Sequence, residues 1–235
     1  MDFIIRKIEQ EEIKILDTFL YEAIFIPEDV KKPPINIINH PKIVFLVGIA
    51  GGITNYGVSQ NGTNNERLEL DLCDVVIAKS VIDYELRKET NDGVEHRGQI
   101  YSIDAAVAAV VNDFLVTLQT EKFHSAEGSK NADVNILFEA IGSGNAVITK
   151  DLSETKSWLK NVNSKVVAVE MEATGISSSF YESTLNKNGV KGLMVIRGIS
   201  DLADTEKSLC KQYRSAATKN AALVTKKIIE IFPDF

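Results

Sequence analysis

Apolar and β-branched residues gather in six short runs, separated by stretches with helical spacing. The runs cover residues 3–8, 43–49, 74–82, 134–141, 165–170 and 193–198. Most are continuously apolar rather than alternating, the pattern of strands buried on both faces. Between them, residues 104–122 place Ala105, Val107, Ala108, Val111, Leu115 and Leu118 at helical spacing. Residues 152–162 form a shorter helical pattern around the single tryptophan, Trp158, and residues 172–186 follow a strand directly. A closing helix is predicted over 205–232, with Leu209, Tyr213, Ala217, Ala221, Val224, Ile228 and Phe232 on one stripe. Because strand and helix alternate, the pattern predicts an α/β fold with a mixed, mainly parallel central sheet flanked by helices. Two polar stretches read as loops: residues 31–41, with Pro33, Pro34 and Pro41, and the asparagine-rich residues 54–66.

Charge and composition remove several classes of partner. The 235 residues carry 26 Lys plus Arg against 33 Asp plus Glu, a net charge of −7, which disfavours nucleic acid as a partner. The longest apolar run, residues 43–53, is too short and glycine-rich to span a bilayer, which takes about 20 residues. No basic segment precedes an apolar core at Met1-Asp2-Phe3, so neither a signal peptide nor a membrane partner is expected. The two cysteines, Cys73 and Cys210, suit a reducing cytoplasm. His40, His96 and His124 stand too far apart for metal-ligand spacing, and no metal is expected.

Candidate chemistry stands at the carboxyl ends of the strands, where open parallel sheets bind ligands. One strand closes with Gly48-Ile49-Ala50-Gly51-Gly52 and another with Gly142-Ser143-Gly144-Asn145. A third closes with Glu170-Met171-Glu172-Ala173 and the last with Gly198-Ile199-Ser200-Asp201. Glycines admit close approach of a ligand to the backbone, and carboxylates bind sugar hydroxyls or move protons. Each cluster also has a structural reading. Residues 48–52 make a tight turn, Glu170 and Glu172 suit a helix start, and Asp201 or Asp204 suits an N-cap. The functional reading rests on their joint arrangement.

In this order, the clusters resemble the superfamily of nucleoside phosphorylases and methylthioadenosine/S-adenosylhomocysteine nucleosidases. The carrying residues are Val47-Gly48-Ile49-Ala50-Gly51-Gly52, Asp74-Val75-Val76, Ser143-Gly144-Asn145, Val169-Glu170-Met171-Glu172-Ala173 and Arg197-Gly198-Ile199-Ser200-Asp201-Leu202-Ala203-Asp204. The resemblance implies a phosphorylase/hydrolase-like three-layer fold and cleavage of the N-glycosidic bond of a purine nucleoside. It implies that Asp201 donates a proton to the purine N7, with Ser200 beside it, while an ionised Glu172 grips the ribose hydroxyls. Met171 then packs on the sugar, Ala50 and Gly51 line the ribose and base, and Val147 and Ile148 hold the purine ring. Hydrolysis is favoured over phosphorolysis, because no phosphate motif is found around Arg67, Arg87, Arg97 or Arg214. The expected partners are a small-molecule purine nucleoside and further copies of the chain in a homo-oligomer. No organic cofactor is implied; phosphate is a co-substrate only in a phosphorylase.

The resemblance begins near Ile43, which divides the chain into an atypical head, residues 1–42, and a nucleoside phosphorylase-like domain, residues 43–235. The head, with its strand 3–8, helix 11–25 and proline-rich loop, is similar to the opening of a GNAT-type acetyltransferase. The glycine-rich acetyl-CoA loop is missing downstream, so acetyl transfer is not expected. The family's opening strands and water-positioning acid are not found, and Glu9, Glu11 and Glu12 replace that acid in name only. Cys73 stands where the family commonly has glycine, and residues 54–66 look inserted. These departures predict a nucleosidase impaired in rate. The alternatives are a phosphorylase, a non-catalytic nucleoside-binding module and a structural remnant.

Overall fold

A computed structural model of the chain describes residues 43–53, 70–91, 93–118, 122–150, 153–184, 192–205 and 207–231. The expected head, the loop at 54–66 and Phe232 lie outside these residues.

Eight strands are described: β1 (Ile43–Gly52), β2 (Val75–Asp83), β3 (Arg87–Thr90), β4 (Gly93–His96), β5 (Ile100–Ser102), β6 (Ile136–Ser143), β7 (Ala168–Glu170) and β8 (Gly192–Asp201). Four α-helices accompany them: α1 (Ala105–Thr117), α2 (Glu154–Val162), α3 (Ala173–Thr184) and α4 (Arg214–Ile231), the last preceded by a 3₁₀ helix over Lys207–Tyr213. The main sheet runs β5-β2-β6-β7-β1-β8, with β2 also pairing with β8. β2, β6, β7, β1 and β8 therefore form a closed ring. The β1–β8, β2–β6 and β6–β7 pairs are parallel, whereas β1–β7, β2–β5 and β2–β8 are antiparallel. The sheet is mixed and, because its two longest ladders, β1–β8 and β2–β6, are parallel, mainly parallel by length, as the continuous apolar runs predict.

Side chains alternate across the ring. Val75 and Ile77 of β2 and Met194 and Ile196 of β8 pack with Val107, Val111 and Phe114 of α1 and Ala221, Val224 and Ile228 of α4. Their neighbours Val76, Ala78, Leu193, Val195 and Ile199 face the other way, with Ala50, Ile141 and Ala173. All ten residues of β8 are buried. A third cluster, around Leu159 of α2, joins Tyr84, Ile148 and Val169 beneath the strand ends.

Several boundaries differ from the sequence pattern for local reasons. Asp104 caps α1, its Oδ1 accepting the Ala106 N–H at 2.8 Å, and Ser153 caps α2 by accepting from Lys156 at 3.0 Å. The closing helix begins at Arg214 rather than at 205, and Leu209, expected on its apolar stripe, is 71% exposed. The strand expected at 165–170 is shortened to three residues. The hairpin β3–β4 and the strand β5 were not anticipated. Cys73 adopts a left-handed φ of 72°, the backbone state that favours glycine. It is held there by its N–H donating to Ile199 O at 2.8 Å and by Asn220 Nδ2 donating to its carbonyl at 2.8 Å.

Candidate active site

The strand ends build the site from four directions. β1 and β8 run in register from Ile43↔Gly192 to Ala50↔Ile199, and then Gly51 pairs with Asp201, leaving Ser200 as an extra residue. Such a bulge breaks strict alternation. Ser200 and Asp201 consequently both reach the same cleft, where a regular strand would send them to opposite faces. Asp201 is buried and accepts from three groups. Ser200 Oγ donates to Oδ2 at 2.9 Å, the Ala203 N–H donates to Oδ1 at 3.0 Å, and Lys207 Nζ lies 3.3 Å from Oδ1. The Asp201 backbone ends β8, so the carboxylate closes the turn into residue 203 and does not cap an α-helix. Gly51 is required beside it: a Cβ there would stand 2.9 Å from Asp201 Oδ1 and 2.9 Å from Ala203 Cβ.

The turn from β7 into α3 presents the second acid. Glu170, the last residue of β7, folds back to accept the Glu172 N–H at 3.1 Å and the Ala173 N–H at 3.0 Å, satisfying the free donors of the first helical turn. Glu170 also forms a buried ion pair with Arg197 of β8; their side chains are 1% and 4% exposed. The same Arg197 Nη2 reaches Glu172 Oε2 at 3.2 Å. Gly48 makes room for this guanidinium, since a Cβ there would lie 2.1 Å from Arg197 Nη1. The Glu172 side chain remains 62% exposed at the cleft mouth. Its pKa is raised: desolvation pushes it up, Arg197 opposes, and Glu170 adds to the rise. The sequence reading expects a plainly ionised carboxylate at this position; partial burial beside Glu170 makes it harder to ionise.

The third wall is the segment after β6. Tyr84 Oη donates to Gly144 O and Ala146 O, each at 3.1 Å, and Glu85 Oε2 accepts the Asn145 N–H at 2.9 Å. These bonds hold the turn that carries Val147 and Ile148. Burial and the nearby carboxylates, Glu170 first, push the Tyr84 hydroxyl far above its usual range, so it stays a donor.

The cleft measures about 170 Å³. Pockets that enclose a drug-sized ligand typically span about 300–1,000 Å³, so this one seats part of such a molecule and leaves the rest at the mouth. Every sequence-predicted site residue lines it: Ala50, Gly51, Val147, Ile148, Met171, Glu172, Ser200 and Asp201. Three of the four strand-end clusters contribute directly. The fourth does so only through Ala146, Val147 and Ile148, which follow Gly144-Asn145. Met171 is 44% exposed and Val147 58% exposed, while Ile148 is buried. Sequence reasoning placed Glu170 at a helix start but missed its ion pair with Arg197, and it missed Tyr84 and Lys207. Arg197 had a readable signal, a lone charge inside the apolar run Met194-Val195-Ile196-Arg197. Tyr84 had none, being an aromatic residue next to a strand. Among the described residues, no three His, Cys, Asp or Glu side chains converge as metal ligands would.

The fold recurs among solved structures. The 5′-methylthioadenosine/S-adenosylhomocysteine nucleosidase of Neisseria meningitidis, in complex with methylthio-immucillin-A, matches with a TM-score of 0.57 and 20% identity, over 81% of this chain and 70% of that one. The S-adenosylhomocysteine nucleosidase of Streptococcus pyogenes, in complex with 5-methylthiotubericidin, matches with a TM-score of 0.57 and 18% identity, over 94% and 76%. Native futalosine hydrolase of Helicobacter pylori matches with a TM-score of 0.56 and 14% identity, over 93% and 76%. No family model matches the sequence. At these identities the likeness establishes the fold, the α/β phosphorylase-like fold that the motif order implies.

Proposed function

We propose that the cleft binds a purine nucleoside and cleaves its N-glycosidic bond by hydrolysis. One observation carries this reading: Glu172 and Asp201, from separate elements, line a single cleft with Met171, Ala50, Gly51, Val147, Ile148 and Ser200. Cleavage passes through an oxocarbenium-like state in which positive charge builds on the sugar and electrons flow into the base. A carboxylate on the ribose hydroxyls and a proton at N7 both act most strongly in that state.

In this reading Glu172 accepts from the ribose hydroxyls and Met171 packs against the sugar. The backbone of Ala50 and Gly51 borders ribose and base, while Val147 and Ile148 flank the purine. Asp201 passes a proton to N7 with Ser200 fixing its carboxyl. The C1′–N9 electron pair leaves with the base, a water oxygen bonds to C1′, and that water releases one proton to solvent, balancing the proton that Asp201 takes up from solvent before each turnover. Phosphate is the alternative nucleophile, favoured by Arg214, a cation at the cleft for which no ion pair is found among the described residues. By resemblance the chain assembles as a homo-oligomer, and its two cysteines suit a reducing cytoplasm. No described helix is long and apolar enough to cross a membrane.

Incubation of the full chain with methylthioadenosine, adenosine and inosine, with and without phosphate, tests the proposal by release of free base. Phosphate-independent release is expected, with losses of about 100-fold or more in Asp201→Asn and Glu172→Gln. Dependence on phosphate makes it a phosphorylase. Saturable binding without release makes it a binding module, and absence of both binding and release overturns the reading.

A further inference from the structure

Lys207 stands where the proposed reaction has no use for it. It belongs to the 3₁₀ helix after β8, lines the cleft, and places Nζ 3.3 Å from Asp201 Oδ1. Its side chain is only 26% exposed. An ammonium offers three donors and no acceptor. The region around Asp201 therefore presents a carboxyl group and, next to it, a group that can only donate.

The edge of a purine that carries N7 also carries the substituent at position 6. In guanine-type bases that substituent is the acceptor O6; in adenine it is the donor N6–H₂. A base that places N7 at Asp201 brings position 6 to a neighbouring group, and Lys207 is the cation beside that carboxyl. O6 satisfies the ammonium, whereas an amino group sets donor against donor. The ammonium keeps Asp201 as a partner in either case, but only O6 adds a second acceptor, and sites built around one hydrogen-bonding pattern reject the opposite one strongly. Bond cleavage widens the difference, because electrons entering a 6-oxopurine delocalise onto O6, where a fixed cation stabilises them.

We propose that Lys207 is a specificity-determining residue that makes the site selective for 6-oxopurine ribosides over 6-aminopurine ribosides. The proposal rests on the nucleoside-cleaving reading and names its substrate class. Inosine and adenosine differ at position 6 in this respect and are the probes.

The experiment compares kcat/KM for inosine and adenosine in the full chain and in Lys207→Arg, Lys207→Met and Lys207→Gln. In parallel, hypoxanthine and adenine are titrated calorimetrically into each protein. The unmodified chain is expected to prefer inosine by about tenfold or more. Lys207→Arg keeps that preference, Lys207→Met erases it, and Lys207→Gln, whose amide oxygen accepts from an amino group, turns it toward adenosine. Cleavage of both nucleosides with no preference for inosine, or an equal loss on both in Lys207→Met, overturns the role of Lys207 and leaves the nucleosidase reading intact. Without turnover, hypoxanthine binding over adenine that disappears in Lys207→Met still supports the proposal. Binding of neither base, in protein with an unchanged thermal melt, overturns both readings together.

Discussion

Arg197 Nη2 lies 3.2 Å from Glu172 Oε2 and pairs at the same time with the buried carboxylate of Glu170. The acid at the mouth of the cleft is thereby tied to an ion pair inside the protein. Position 172 sits on the turn that Glu170 caps, so one buried carboxylate fixes both the backbone and the charge environment of its neighbour.

Removing the arginine exposes what the pair does. Arg197→Met leaves Glu170 buried without a counter-charge, an arrangement that costs about 3–5 kcal/mol. Urea unfolding is expected to show that loss, and the double change Arg197→Met with Glu170→Met to recover most of it. A double variant as unstable as the single one shows that packing around Arg197, not charge, governs stability there.

Gly51 keeps Asp201 in place by having no side chain. In Gly51→Ala the new methyl meets Asp201 Oδ1 and Ala203 Cβ, both at 2.9 Å, and the turn must shift. Overpacking of this kind typically costs about 1–3 kcal/mol. Thermal melting should register the destabilisation, and purine binding should weaken by more than the melt implies, because the carboxyl moves with the turn. Unaltered binding would show that Asp201 does not touch the ligand.

Tyr84→Phe deletes the hydroxyl that bonds to Gly144 O and Ala146 O. Loss of these bonds is expected to cost about 1–2 kcal/mol, concentrated in the segment carrying Val147 and Ile148. Hydrogen exchange at the amides of residues 145–148 should accelerate while that of β8 stays slow. Uniform acceleration over both segments would make Tyr84 a general core residue rather than a clamp on this wall.

Asp74 makes stability depend on pH in an unusual direction. The residue is 3% exposed, and its carboxyl is raised from 3.8 to about 6, chiefly by burial and against the N–H groups of Asp71 and Asn135 that it accepts from. Between those values the folded chain keeps the proton while the unfolded chain has released it. The folded state then binds more protons, and stability falls as pH rises from about 4 to 6. The shift corresponds to about 3 kcal/mol at most. Denaturant melts at pH 4 and pH 7 should show the wild type losing stability relative to Asp74→Asn; a gain contradicts a protonated buried acid.

The sequence carried the architecture where burial dictated composition. β2 and β8 are buried almost throughout and show it as continuous apolar runs, and the five ring strands stand within a few residues of their expected places. β3 and β4 escaped notice because Arg87-Lys88-Glu89-Thr90 and Gly93-Val94-Glu95-His96 lack apolar alternation. The turn signal Asn91-Asp92-Gly93 between them was the available clue. The site was readable as a set of strand ends, since glycines and acids there stand out against apolar runs. Its second tier was not. Arg197 and Lys207 acquire meaning only when β8 is laid beside the β7–α3 turn and the 3₁₀ helix folds back, and neither relation leaves a periodicity. The predicted reach of the closing helix failed for a related reason, because residues 207–213 wind as a 3₁₀ helix that sends Lys207 to the cleft instead of laying down an apolar stripe.

The parallel pairing of β1 with β8 has a consequence for how the protein comes into being. Ala50 and Ser200, which meet in the cleft, are 150 positions apart in the chain. Closing so long a segment is entropically costly and slow. During synthesis Gly51 emerges long before its partner strand, so a nascent chain halted before residue 192 holds Ala50, Tyr84, Val147 and Glu172 of the cleft without Ser200, Asp201 and Lys207. The cleft is then closed late, when β8 and the 3₁₀ helix after it are laid against walls already made.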